Sequence, residues 1–103
     1  MAIAITVERT IMPDAHEEVT KILRELLVLA IRQPGYISGE MIVDATNPDI
    51  FLTVSRWRSV TAWAQWENNP ARVKPLARMN SLLLSKPIIR IWLIGESSTA
   101  SGV

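Results

Sequence analysis

Hydrophobic and polar residues alternate along four stretches of the chain and recur with helical spacing between them. Residues 14–33 carry apolar positions three and four apart, which predicts a helix that ends at Pro34-Gly35. Two further helical segments are predicted over about residues 59–68 and 75–84. The alternating stretches predict β-strands at about residues 2–11, 36–44, 50–57 and 88–95.

Local signals predict how each helix begins. Asp14 followed by Glu17 resembles a capping box just after Pro13. Ser59 is a suitable N-cap for the second helix. Pro75 is expected to start or kink the third helical segment, because proline lacks the backbone N–H that an interior helical position needs.

The order of elements, βαββαβ, predicts a ferredoxin-like α+β fold with a four-stranded antiparallel sheet in the order 4-1-3-2. A length of 103 residues fits one domain, which we place at residues 1–95. Residues 96–103 are small and polar, and they are expected to form a flexible tail.

Each predicted strand carries one charged residue within its apolar pattern. In the sheet order, Arg90, Glu8, Arg56 and Glu40 alternate in sign, so we expect them to share one face and to pair between strands. The other face is expected to pack under the helices. It carries Ile3, Ile5, Val7, Met41, Val43, Phe51, Ile89, Ile91 and Leu93.

The face with the four charges is also too apolar to lie open to water. It carries Ile42, Leu52, Val54, Ile88, Trp92 and Ile94. We therefore predict that the same face of a second chain covers it, which gives a homodimer. The alternative is a monomer with an open apolar sheet.

Composition excludes several classes of function. The net charge of +1, from 11 basic and 10 acidic residues, indicates neither a nucleic-acid partner nor an acidic membrane surface. Cysteine is absent and histidine occurs once, so disulfides, thiol nucleophiles and multi-histidine metal centres are excluded. No signal peptide or apolar run of membrane-spanning length is present, and a cytoplasmic location is expected.

Three tryptophans lie within ten positions, where a strand gives way to a helix. Trp63 and Trp66 are three apart and share one helix face, and Trp57 ends the third strand. Such a cluster is either plain core or the wall of a pocket for a flat aromatic ligand.

Three polar residues share the helix-facing side of the sheet with this cluster. Thr53 and Ser55 are candidate donors to a ligand, although buried hydroxyls also bond to nearby backbone. Arg9 either anchors a substrate oxyanion or reaches solvent from the strand end.

The remaining polar candidates are expected to have structural roles. Tyr36 could donate a hydrogen bond or serve as an acid or base, but a tyrosine where a helix joins a strand is expected to pack. Arg72 and Arg78 are expected to lie on a solvated face, and His16 on the surface. No residue is identified as a catalytic base.

Three segments resemble the antibiotic biosynthesis monooxygenase family. They read QPGYISGE at residues 33–40, SRWRS at 55–59 and AWAQWENNPAR at 62–72, and the resemblance extends over about residues 2–95. It implies a dimeric α+β barrel. Members of the family include quinol and anthrone oxygenases, haem degraders and proteins with no assigned activity.

A residue-by-residue comparison with the haem-degrading branch argues against haem degradation by this chain. Trp66 matches that branch, but the branch's proximal histidine falls on Leu76, and the first strand has no asparagine. The other branch implies a monooxygenase that acts on a small aromatic or quinol without a cofactor. The branch implies that the protein binds the planar substrate, helps to remove a proton and stabilises the anion.

Two further functions fit the same fold. One is a non-catalytic dimeric module for small-ligand binding or assembly, and the other is an isomerase or related enzyme on the same barrel. A ligand-sized cavity of roughly 300 Å³ or more between helices and sheet would favour a binding or catalytic role.

Overall fold

The computed structural model describes residues 1–96 and has one antiparallel sheet with helices packed on one face. The helical elements are α1 (His16–Ala30), α2 (Val60–Glu67), a 3₁₀ turn (Pro70–Arg72) and α3 (Val73–Asn80). The strands are β1 (Ile3–Thr10), β2 (Tyr36–Val43), β3 (Ile50–Trp57) and β4 (Ile88–Leu93).

The sheet order is β2-β3-β1-β4, which is the predicted order read from the opposite edge. This order and the antiparallel pairing confirm the ferredoxin-like fold. The predicted tail, apart from Glu96, lies outside the described residues.

The register of the sheet places the predicted apolar face against the helices. Ile3 pairs with Trp57 and Ile5 with Ser55 across β1 and β3, and all four side chains therefore point to the same side. The core forms where this face meets the helices. Its most completely buried side chains are Trp57, Ile3, Ile5, Ile11, Ile22, Met79 and Val19.

The helices do not cover β4. They contact β2 and β3 and bury Ile3 and Ile5 of β1. The helix-facing residues of β4 that the sequence assigned to the core are consequently exposed, and so are Met41 and Val43 of β2. Both faces of β4 therefore present apolar side chains, namely Ile88, Ile89, Ile91, Trp92 and Leu93.

The four strand charges share one face, as predicted. The prediction that they pair between strands is wrong. Arg90 is two residues away from the position opposite Glu8. Glu40 is likewise two residues away from the position opposite Arg56. Within residues 1–96 no ion pair joins these four side chains. Arg90 lies instead over the ring of Trp92, 4.2 Å from its centroid.

The capping box predicted for α1 is also wrong. Asp14 adopts a φ of +69°, and the helix begins two residues later, with Ala15 at the N-cap and no side-chain cap. The left-handed turn at Asp14 takes this residue out of the capping position, so its carboxylate does not cap the helix.

The start and end of α3 differ from the prediction as well. The helix begins at Val73, and Pro75 is its third residue. A backbone N–H in the first turn of a helix has no intrahelical partner, so the missing N–H of proline costs no hydrogen bond there. The helix ends at Asn80 rather than near Leu84, because the Leu84 N–H donates to the Thr10 carbonyl oxygen at 2.9 Å.

Ser59 is confirmed as the N-cap of α2, since its Oγ accepts from the Ala62 N–H at 3.1 Å. We expect Ser59→Ala to lower the free energy of unfolding by about 1 kcal/mol, because one N–H of the first turn loses its acceptor. Urea denaturation followed by circular dichroism measures this change. Thr61→Ala, an exposed substitution in the same turn, is the control and should stay within about 0.5 kcal/mol of the wild type. Equal losses in both variants would contradict the capping role.

Candidate functional site

A cavity of about 340 Å³ lies between the helices and the sheet. The helix-facing sides of β1, β2 and β3 form its floor, while α1 and α2 form its roof. Residues of α1 that the sequence did not single out complete the apolar wall. They include Leu23, Leu26, Leu27 and Ala30. The volume lies within the range of roughly 300–1,000 Å³ that is typical of small-molecule sites.

All six residues that the sequence proposed for substrate binding line this cavity. They are Trp57, Trp63, Trp66, Thr53, Ser55 and Arg9. The strand periodicity explains why three of them meet, since Thr53, Ser55 and Trp57 alternate onto one face of β3. A role of these residues in binding remains a prediction.

Aromatic side chains make one wall of the cavity. Trp57 has no exposed surface and stacks with Trp66 at a centroid distance of 6.3 Å. Tyr36 meets the Trp57 ring edge-on at 5.3 Å. Trp57 Nε1 donates to Ser55 Oγ at 3.0 Å, so the buried indole N–H is satisfied. The Ser55 hydroxyl keeps its own hydrogen for another acceptor.

Tyr36 also contributes its hydroxyl group to the cavity region, whereas the sequence favoured a packing role over that of a donor. A Cβ atom at Gly39 would lie 2.7 Å from Tyr36 Oη, so only glycine leaves the space that this phenol occupies. Burial raises the pKa of Tyr36 above its ordinary value, and the phenol is therefore a protonated donor at neutral pH. The spacing of three between Tyr36 and Gly39 would put them on opposite faces of a regular strand, and the bulge between Tyr36 and Ser38 brings them to the same face.

Arg9 supplies a buried cation. Its side chain is 6% exposed, and its Nη1 donates to Thr53 Oγ1 over a long 3.5 Å. Burial, with a further contribution from the charge of Arg72, lowers the pKa of Arg9 to about 10. The guanidinium therefore stays charged at neutral pH, although the fold provides it with no carboxylate partner among residues 1–96.

Arg72 lies beside the same cavity, so the prediction that it occupies a solvated face is wrong. It is half-buried, and its guanidinium lies over the Trp66 ring, 5.1 Å from the centroid. Its Nη1 donates to the Glu67 carbonyl oxygen at 2.9 Å, and burial lowers the pKa of Arg72. The 3₁₀ turn after Pro70 redirects this side chain toward the cavity, which helical spacing alone does not indicate.

The other polar candidates lie outside the cavity. His16 Nε2 and Asp49 Oδ1 are 2.8 Å apart, which joins α1 to the turn before β3. Arg78 forms two exposed hydrogen bonds with Glu25, of 2.9 and 3.0 Å, as expected for a solvated face.

Residues 1–96 contain neither a metal-binding cluster nor a membrane-spanning helix. No group of three histidine, aspartate or glutamate side chains in this range could hold a metal ion. In the same range, no helix has the length and apolar character needed to cross a bilayer.

Comparison with known proteins agrees with the fold. SnoaB, a cofactor-independent oxygenase from Streptomyces nogalater, is 11% identical, with 96% of this chain and 98% of SnoaB covered and a TM-score of 0.85. A conserved protein from Methanosarcina mazei Go1 is 16% identical, with 89% of this chain and 91% of that protein covered and a TM-score of 0.85. Rv0793 from Mycobacterium tuberculosis is 17% identical, with 97% of this chain and 100% of Rv0793 covered and a TM-score of 0.83.

Sequence comparison identifies the family. No curated protein matched the chain. The family model described as antibiotic biosynthesis monooxygenase matches residues 2–74. Since this match covers more than half of the sequence, the chain belongs to the antibiotic biosynthesis monooxygenase family.

Proposed function

We propose that the protein is a cofactor-independent monooxygenase that acts on a small aromatic or quinol in the cavity between helices and sheet. The observation that carries this proposal is a ligand-sized cavity that combines tryptophan walls with hydroxyl donors and a buried cation. Family membership supports the same class of reaction.

The residues of the cavity suit the reaction of an electron-rich ring with oxygen. A flat substrate lies against Trp63 and Trp66, while the hydroxyls of Ser55 and Tyr36 orient its polar groups. The positive charge of Arg9 stabilises the substrate anion that forms when a ring hydroxyl or an activated C–H loses its proton.

The substrate itself supplies the electrons for this reaction. In the overall change of an anthrone-like methylene to a carbonyl, the carbon loses two hydrogens and gains one oxygen atom of O₂. The second oxygen atom leaves as water with those two hydrogens. The protein binds the ring, stabilises the anion and excludes bulk water.

Oxygen consumption with a panel of hydroquinones and anthrones tests the proposal. We expect uptake that depends on both substrate and protein. Arg9→Ala should slow it by about tenfold or more because the anion loses its cation, and Trp66→Phe should slow it by a smaller factor. Arg32→Ala, which removes an exposed charge outside the cavity, should match the wild type. Absence of uptake with every substrate would contradict the proposal.

A second candidate function is a dimeric module that binds a small ligand without transforming it. The observation that favours it is that none of the six residues predicted to bind substrate is a histidine or carboxylate suited to act as a base. Saturable binding of an aromatic ligand without oxygen uptake would identify this function.

We further infer that the protein assembles as a homodimer through the sheet face that the helices leave open. This face carries the four strand charges beside apolar side chains, of which Ile88 is 57% and Trp92 42% exposed. Glutamates of one copy and arginines of the other can pair across a two-fold axis, where the register prevents pairing within one chain.

A further inference from the structure

We propose that the ligand of the cavity is an aromatic acid, whose carboxylate binds between the guanidinium groups of Arg9 and Arg72. This inference rests on the proposed function, since it names the substrate class for the same cavity. It goes further, because a quinol is neutral before the reaction whereas an aromatic acid carries its charge from the start.

The buried guanidinium of Arg9 and the half-buried guanidinium of Arg72 line one cavity, and neither is held in an ion pair with a carboxylate of residues 1–96. Burial of an unpaired cation is unfavourable, and a second cation nearby makes it more so. The lowered pKa values of both arginines reflect this burial, and Arg72 contributes to the shift of Arg9. A bound anion would relieve both effects.

Within residues 1–96, both arginines also have unused hydrogen-bond donors. The Nε atoms of Arg9 and Arg72 are buried and have no hydrogen-bond partner. The bond from Arg9 to Thr53 is long, and Arg72 uses one nitrogen on a backbone carbonyl. A carboxylate offers two oxygens with about four acceptor sites, and guanidinium groups bind it through paired N–H donors.

The aromatic side chains beside the arginines favour an aromatic body for the ligand. Arg72 lies over the ring of Trp66, and the stacked pair of Trp66 and Trp57 continues the wall away from it. A carboxylate held by the arginines therefore leaves the body of the ligand beside this aromatic wall, where Trp63 also lines the cavity and is only partly buried. A flat ring packs against such an indole with a favourable energy beyond simple burial.

The hydroxyl groups of Ser55 and Tyr36 favour a second polar group on the ligand. Ser55 is two residues beyond Thr53, the contact of Arg9, which is about 6.8 Å along the strand. Gly39 is paired with Ser55 across β2 and β3, and Tyr36 Oη lies above it. A benzene ring with a carboxylate at one end and a hydroxyl at the other has about this length in total, so a ring hydroxyl opposite the carboxylate would meet Ser55 and Tyr36.

A matched pair of probes tests the proposal. 4-Hydroxybenzoate and 4-hydroxybenzamide have nearly the same shape and differ in charge. We expect calorimetric titration of the full chain to give a dissociation constant for the acid that is about 10- to 100-fold lower than for the amide. Sodium formate, which carries the carboxylate without the ring, should bind far more weakly than 4-hydroxybenzoate.

Variants assign the preference to the two arginines. Arg9→Gln and Arg72→Gln should each remove most of the preference for the acid and change amide binding little. Arg32→Gln, with the same loss of charge at an exposed site outside the cavity, should keep it. Arg9→Lys retains the charge without the paired donors and should give an intermediate preference, and circular dichroism verifies that each variant is folded.

Equal affinity for acid and amide in the wild type would overturn the proposal, as would an unchanged preference in both arginine-to-glutamine variants. Formate binding as tight as that of the aromatic acid would also overturn it. Oxygen uptake with neutral quinols and no preference for the acid leaves the oxygenase and removes this inference. Charge-dependent binding of the acid without any oxygen uptake supports the aromatic-acid ligand and contradicts the oxygenase.

Discussion

Replacement of Gly35 by alanine is expected to lower the free energy of unfolding by about 3 kcal/mol, which corresponds to a fall in melting temperature of roughly 15 °C. Gly35 has a φ of +85°, where a side chain is strained. A Cβ atom there would also lie 2.5 Å from Ala62 Cβ of α2. The Arg58 N–H donates to the Gly35 carbonyl oxygen at 2.8 Å, so this segment cannot move away without losing the bond.

Two further variants separate backbone strain from the steric clash. Gly95→Ala is the matched control, because a Cβ at Gly95 would have no heavy atom within 4 Å. We expect it to leave the melting temperature nearly unchanged. Adding Ala62→Gly to Gly35→Ala removes the clash and should recover part of the loss, while the φ strain remains. Thermal unfolding by calorimetry measures all of these variants, and a Gly35→Ala protein as stable as Gly95→Ala would refute the argument.

Periodicity and turn chemistry predicted the fold because they act locally. Alternation along β1 and β3 reports which side chains share a face, and Ser59 caps the helix that follows it directly in sequence. The sheet order followed from the order of the elements. These features depend on residues close together in the chain, where one sequence contains the necessary information.

The features that the sequence did not predict depend on how separate elements are offset. The parity of Glu8, Arg56 and Arg90 was predictable, but their pairing depends on a register that parity does not determine. The position of Arg72 depends on the 3₁₀ turn between α2 and α3, and the location of Tyr36 Oη depends on the bulge between Tyr36 and Ser38. Six of the cavity residues could be named from the sequence, whereas the wall from α1 and the two-arginine end of the cavity could not.

The double substitution Ile88→Glu and Trp92→Glu is expected to convert the proposed homodimer to a monomer. Both side chains lie on β4 and point to the open face of the sheet. A two-fold interface would contain each new carboxylate twice, so four charges would be buried against apolar side chains. We expect the dimer dissociation constant to rise by about 1,000-fold or more. Sedimentation equilibrium at micromolar concentration measures it.

The control for this experiment is Val73→Glu, which places the same charge on an exposed apolar position of α3, outside the sheet. It should leave the dimer intact, since the proposed interface lies on the open face of the sheet. A wild-type chain that sediments as a monomer would disprove the dimer, and loss of the dimer in Val73→Glu alone would place the interface elsewhere. If the dimer is lost while aromatic ligands still bind, the cavity belongs to each chain separately, as its position between the helices and the opposite sheet face implies.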